Sequence, residues 1–61
     1  MDIKVIDYLD KKVIRFYADF ENHNTSFVKG MCVIIGAEVY EIEMVVYNFD
    51  THILELYVSN Y

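Results

Sequence analysis

The chain has 61 residues, a hydrophobic fraction of 56% and an aromatic fraction of 16%. This length is near the lower limit for a domain that folds without a metal, disulfides or a partner, so we expect one domain over residues 1–61 and no deep catalytic cleft. The interior of so small a domain cannot hold that much apolar surface. The excess therefore predicts a homo-oligomer or a protein partner.

The formal net charge of −5 is concentrated in the second half of the chain. Residues 1–30 contain five basic and five acidic side chains, whereas residues 31–61 contain five acidic side chains and no Lys or Arg. An acidic surface repels nucleic acid and attracts basic protein surfaces. This distribution predicts a protein partner with a basic surface.

Cys32 is the single cysteine, so no disulfide forms within the chain and a reducing compartment is the expectation. Residues 1–4 do not begin a secretion signal, and the apolar run Met31–Ile35 is far shorter than the roughly 20 residues that cross a bilayer. We therefore expect a soluble protein of the cytoplasm without membrane association.

Alternating apolar residues predict two strands in the first third of the chain. Ile3–Leu9 is apolar on both faces, and Val13–Phe20 alternates clearly after a polar break at residues 10–12. These segments form a β-hairpin in our interpretation, followed by a polar loop over residues 21–26.

The stretch Phe27–Val58 predicts three further strands. Phe27–Ile35 contains Gly30, which indicates a bulge or bend, and Gly36-Ala37-Glu38 forms a tight turn. Val39–Tyr47 alternates with Glu41 and Glu43 on the outer face, and a turn over residues 48–51 precedes a last strand with Leu54, Leu56 and Val58 facing inward.

Five strands with hairpin-length connections and no helix predict an all-β domain. We expect a five-stranded antiparallel meander that closes into a small SH3-like or OB-like barrel, because closure removes exposed strand edges.

Candidate residues for chemistry are few. His23, His52 and Cys32 do not stand at metal-ligand spacings, and no motif for a cofactor is present, so we expect neither a metal nor another cofactor. Cys32 lies in an apolar run that is typical of a buried, inert thiol rather than of a nucleophile. Glu41 and Glu43 suit a solvated strand face better than a catalytic pair, and we do not expect an enzyme.

The outer face of the last hairpin is the predicted partner-binding site. If Tyr47 lies opposite Ile53, then Val45 faces Glu55, Glu43 faces Tyr57 and Glu41 faces Ser59. Aromatic side chains among acids are typical of a protein-binding surface. The alternative is that the same face packs against a second copy of the chain or against the first hairpin, in a structural homo-oligomer.

Single-stranded nucleic acid binding is the second alternative. Small barrels bind such strands by aromatic stacking in a basic groove. The candidate residues are Tyr8, Lys11, Lys12, Arg15 and Tyr17. The acids between them cancel the positive charge, so nucleic acid is the less favoured partner.

Residues 27–35, 39–46 and 54–58 resemble a pattern of short phage and mobile-element proteins. The shared features are a glycine before a strand (Gly30), a Tyr that opens the next strand (Tyr40), and a final strand rich in Val, Leu and Tyr. The resemblance covers about half of the chain and implies an SH3-like small barrel and a non-enzymatic accessory protein that blocks a host protein. Met31 and the Gly36–Val39 turn depart from the pattern, and no functional residue is carried over.

Overall fold

The structure is a computed structural model that describes residues 1–21 and 26–61. Most of the predicted loop over residues 21–26, including His23, lies outside the described residues. The described part contains five strands: β1 (Asp2–Asp7), β2 (Val13–Tyr17), β3 (Cys32–Ile35), β4 (Glu38–Asn48) and β5 (Ile53–Asn60). The prediction of an all-β domain with five strands is confirmed.

The five strands form one mixed sheet in the order β2-β1-β5-β4-β3. Neighbours are antiparallel except β1 and β5, which are parallel. The predicted closed antiparallel meander is therefore wrong, and the sheet is an open half-barrel. Its two edges are β2 and β3, and no Cα atom of β2 lies within 8 Å of a Cα atom of β3.

Strand β1 is an inner strand of the sheet and has two apolar faces. Ile3 and Val5 are buried in the main core, and Ile6 is buried on the opposite face. The backbone of β1 pairs with β2 at one edge and with β5 at the other. The next strand along the chain, β3, lies at the far edge of the sheet, and β4 and β5 lead back from it to β1.

The loops after β1 and β4 have the same arrangement of hydrogen bonds, in which the side chain of the last strand residue caps the turn that follows. The side chain of Asp7 accepts hydrogen bonds from the backbone N–H of Leu9 and Asp10, and Asn48 does the same for Asp50 and Thr51. The fourth residue after each cap has a positive φ, 63° at Lys11 and 58° at His52. These Asx turns end β1 at Asp7, two residues before the predicted end at Leu9.

The turns around β3 also shorten the predicted strand. Gly30, with φ of 92°, bends the chain, so that β3 begins at Cys32 rather than at Phe27. Gly36 and Ala37 link β3 to β4 with φ values of 54° and 72°, the pattern of a type I′ hairpin turn. Glu38, which the sequence placed in this turn, is the first residue of β4.

The main core lies on the concave side of the half-barrel. It consists of buried aliphatic side chains from four strands, with half-buried aromatic side chains packed at its margin: Ile3, Val5, Ile35, Ile42, Leu56 and Val58, with Tyr17, Phe20, Phe27 and Tyr40. Leu56 and Val58 face inward as predicted, and Leu54 packs against the same cluster. The other side of β4 and β5 is left facing outward.

Candidate protein-binding face on strands β4 and β5

A β-bulge at Glu43 decides which side chains of β4 face outward. Ile42 lies opposite Val58, but the next paired residue of β4 is Met44, which lies opposite Tyr57. Glu43 is therefore an extra residue without a partner position, and it shifts the register of the rest of the strand by one.

This shift corrects most of the predicted pairings. Glu41 lies opposite Ser59, as predicted, whereas Val45 lies opposite Leu56 rather than Glu55, and Tyr47 lies opposite Leu54 rather than Ile53. Val45 and Tyr47 consequently belong to the concave side. Val45 packs against the core, and the Tyr47 ring contacts Phe49 edge-on, with the ring centroids 5.2 Å apart.

The remaining predicted residues do share one surface. The convex face, as we define it, consists of the outward residues of β4 and β5: Glu41, Glu43, Met44, Val46, Ile53, Glu55, Tyr57 and Ser59. Met44 and Val46 were missed because no glycine or proline marks the bulge in the sequence. A second glutamate between Ile42 and Met44 was the only available signal, since it breaks an otherwise apolar run.

Two of the three carboxylates on this face are held by hydroxyl donors. Ser59 Oγ donates to Glu43 Oε2 at 2.6 Å across the strands, and Tyr57 OH donates to Glu55 Oε1 at 3.0 Å along β5. Both bonds are partly buried. Each bond orients one oxygen of a carboxylate, and the second oxygen has no hydrogen-bond partner among the described residues.

The bond to Glu55 also changes the ionisation of Tyr57. It stabilises the protonated phenol, and burial and the negative charge of Glu55 add to this effect, so the pKa of Tyr57 rises above its ordinary value of 10.0. Tyr57 therefore remains a neutral donor throughout the physiological pH range.

Basic side chains from the first half of the chain lie beside part of the convex face. Lys4 lies opposite Glu55 in the parallel pair of β1 and β5. Lys11 Nζ lies 5.4 Å from the centroid of the Tyr57 ring and 4.5 Å from that of Tyr8. The expectation of a surface with a single sign of charge is therefore wrong at the Glu55 end. Glu41 and Glu43 lie at the other end of the face, where Lys29 lines the same surface pocket as Glu43.

The residues considered for nucleic acid binding are not brought into one groove. Lys11 and Lys12 lie in or next to the loop between β1 and β2, with Tyr8. Arg15 lies opposite Val5, a core residue, and therefore on the concave side with Tyr17. The two groups are separated by the sheet itself.

Cys32 differs from its predicted environment. The thiol is exposed, because β3 is an edge strand and Cys32 lies opposite Glu41 on the outward side. The prediction that the Cys32 thiol is buried is therefore wrong. Among residues 1–21 and 26–61, no three His, Cys, Asp or Glu side chains are grouped as metal ligands, and no helix is long and apolar enough to span a membrane.

No protein-family model matches the chain, and no curated protein or solved structure is similar to it at a significant level.

Proposed function

We propose that the protein is a small accessory protein that binds a basic surface of another protein, and blocks that protein, through the convex face. The observation that supports this most is the pair of fixed carboxylates, Glu43 held by Ser59 and Glu55 held by Tyr57. Fixed acceptors lose little conformational entropy when a partner binds, which improves affinity.

Apolar side chains complete the surface. Met44 is 40% exposed, and Val46 and Ile53 are half-buried beside the glutamates. An interface of this kind combines a central apolar area with charged groups that select the partner. The phage-like character of the accessory protein and its SH3-like fold rest on the sequence resemblance alone, and a cytoplasmic location on the composition.

The test compares two variants that each lose three negative charges. E41Q/E43Q/E55Q neutralises the convex face and keeps side-chain oxygens that accept from Ser59 and Tyr57. D10N/E38Q/D50N neutralises three exposed acids that lie off that face. A partner that is captured from a bacterial lysate by the unchanged protein should be lost with the first variant and retained with the second.

Nuclear magnetic resonance then locates the contact. Addition of the captured partner should shift the amide signals of Glu41, Met44 and Tyr57 before those of the concave side. Equal capture by both triple variants, or shifts confined to the concave side, would show that the convex face is not the binding surface.

A structural homo-oligomer is the second candidate, and the uncharged edge strand β3 is the observation that favours it. Its sequence, CVII, contains no charge and no proline, and Ile34 is 74% exposed. Such an edge offers unpaired backbone groups to an identical strand.

A further inference from the structure

A groove on the concave side is independent of the convex face and has no role in the proposed function. It is half open and has a cavity volume of about 200 Å³. Its walls are almost wholly apolar, and its lining includes Ile3, Val5, Phe20, Phe27, Val33 and Leu56. An engineered apolar cavity of roughly 150 Å³ is large enough to bind benzene, so this groove is large enough for a small apolar ligand.

The groove opens between the two edge strands. Because no Cα atoms of β2 and β3 approach within 8 Å, the gap is wider than the roughly 4.8 Å that separates hydrogen-bonded strands. Phe20 and Phe27, whose ring centroids lie 6.2 Å apart, form part of the apolar wall on this side of the half-barrel.

Arg15 crosses the gap at one end. Its guanidinium carbon lies 5.9 Å from the centroid of the Tyr17 ring on β2, and its Nη2 atom lies 3.4 Å from the position that a Cβ atom on Gly36 would occupy. Tyr17 and Ile35, the neighbour of Gly36, both line the groove. The positive charge is thus held at the mouth of an apolar site.

No carboxylate among the described residues forms an ion pair with Arg15. The nearby turn is followed by Glu38, but the carboxylate of Glu38 accepts a hydrogen bond from Tyr40 OH at 2.9 Å instead. The other four basic side chains lie on the outward side, in the β1–β2 loop or before β3. Arg15 therefore supplies an unused anion-binding group with five donors.

We propose that the groove binds a medium-chain carboxylic acid, with the alkyl chain against the apolar wall and the carboxylate paired with Arg15. An extended peptide is the less suitable occupant, because a strand laid along the gap would displace the Arg15 side chain that crosses it. A methylene group has about the volume of one liquid water, roughly 30 Å³, so the cavity accommodates about seven carbons beyond the carboxylate. Octanoate has this length.

The experiment is a nuclear magnetic resonance titration of the labelled protein with octanoate, below the concentration at which octanoate forms micelles. Saturable shifts are expected at the methyl groups of Val5, Val33 and Leu56. Octylammonium, which has the same chain and the opposite charge, should bind at least tenfold more weakly, since hydrogen bonds to charged groups are worth roughly a factor of ten or more.

Two variants test the role of the head group. R15Q, at an exposed position, should retain the dispersed spectrum of the folded protein and bind octanoate roughly tenfold more weakly. E38Q removes a negative charge from the same end of the groove and should bind octanoate more tightly. Equal binding of octanoate and octylammonium, unchanged binding by R15Q, or shifts outside the groove would each overturn the proposal.

Discussion

Glu55 controls the ionisation of Tyr57 through one hydrogen bond of 3.0 Å. Because the pKa of Tyr57 is raised in the folded state, this interaction stabilises the fold at pH values below the unfolded tyrosine pKa of 10.0 and is lost as the pH rises through the raised value. The contribution is therefore present in full near neutrality, and its pH dependence appears only in alkaline conditions.

E55Q should lower the pKa of Tyr57, since the amide oxygen still accepts a hydrogen bond but carries no charge to oppose the phenolate. Spectrophotometric titration of tyrosinate measures the change, and Y57F identifies the Tyr57 component of the curve. E41Q, which removes a glutamate without a bond to any tyrosine, is the matched control. A titration of E55Q that is identical to that of E41Q would contradict the assignment.

Ala37 is held in a backbone conformation that suits glycine. Its φ of 72° brings the Cβ atom close to the carbonyl oxygen, whereas Gly36 in the same turn avoids this cost. A37G should raise the free energy of unfolding by about 0.5–1 kcal/mol in urea denaturation.

Ala18 provides the control for this substitution. It lies in an exposed turn without a positive φ, so A18G relieves no strain in the folded state. The substitution increases the conformational entropy of the unfolded chain, and the free energy of unfolding should therefore stay the same or fall. If A37G is no more stable than the unchanged protein, relief of backbone strain is not important in this turn.

In strand β4, the β-bulge at Glu43 determines which face each later side chain occupies. Ile42 lies opposite Val58 and Met44 lies opposite Tyr57, so Glu43 occupies no position of its own in the ladder. Deletion of Glu43 should join these two pairs directly and keep every side chain of β4 on its present face, at a cost of about 1–2 kcal/mol from lost curvature and the lost Ser59 bond.

Deletion of Val46 is the matched comparison. It removes a paired residue, so the residues on one side of the deletion must move to the opposite face. Circular dichroism and thermal unfolding should show a cooperative transition for the Glu43 deletion and a severe loss of structure for the Val46 deletion. Equal tolerance of both deletions would mean that the register of this hairpin is not fixed by its two faces.

The edge strand β3 contains neither of the residue types, lysine and proline, that natural edge strands use against pairing with another copy. It is uncharged, and its Ile34 side chain is largely exposed. I34K introduces the residue that natural edge strands use to prevent such pairing and should reduce concentration-dependent association in sedimentation experiments. V28K, at another exposed position outside the strands, should leave association unchanged. A monomer at all concentrations before substitution would exclude the homo-oligomer.

Local patterns of the sequence predicted the strands but not their order. Alternation located β4 and β5 within one or two residues, and Ile3–Leu9 was predicted as a strand that is apolar on both faces. The pairing of β1 with β5 could not be predicted from local patterns. It depends on the shared core that side chains of residues 3–6 and 54–58 form only in the folded molecule. The bulge at Glu43 has no glycine or proline to mark it. Glu41, Glu43 and Glu55 were therefore predicted on the correct face, and Val45 and Tyr47 on the wrong one.

At the scale of the whole molecule, stability depends on a very small core. A chain of 61 residues is expected to unfold with a free energy of about 3–9 kcal/mol, which is the usual range per residue. Ile42 is fully buried and central in that core. I42A should remove about 2–5 kcal/mol and leave a large fraction of the protein unfolded at room temperature.

Ile34 is the matched control for this loss. It has the same side chain but lies exposed at an edge, so I34A should change the free energy of unfolding by less than about 0.5 kcal/mol. Denaturant titrations of both variants measure the difference. Similar losses from the two substitutions would indicate that the exposed residue is buried in solution, as in an oligomer.

The parallel pairing of β1 with β5 has a consequence for how the protein folds. Asp2 pairs with Ile53, so residues separated by 51 positions must meet before β1 gains its second neighbour. Contacts of this separation carry a high cost in chain entropy and slow the search for the native state. Until β5 arrives, the β1–β2 hairpin leaves Ile3 and Val5 in water. The pairing of β1 with β5 is therefore expected to be the slow step of folding, and the folding rate should respond most strongly to changes at this pair of strands.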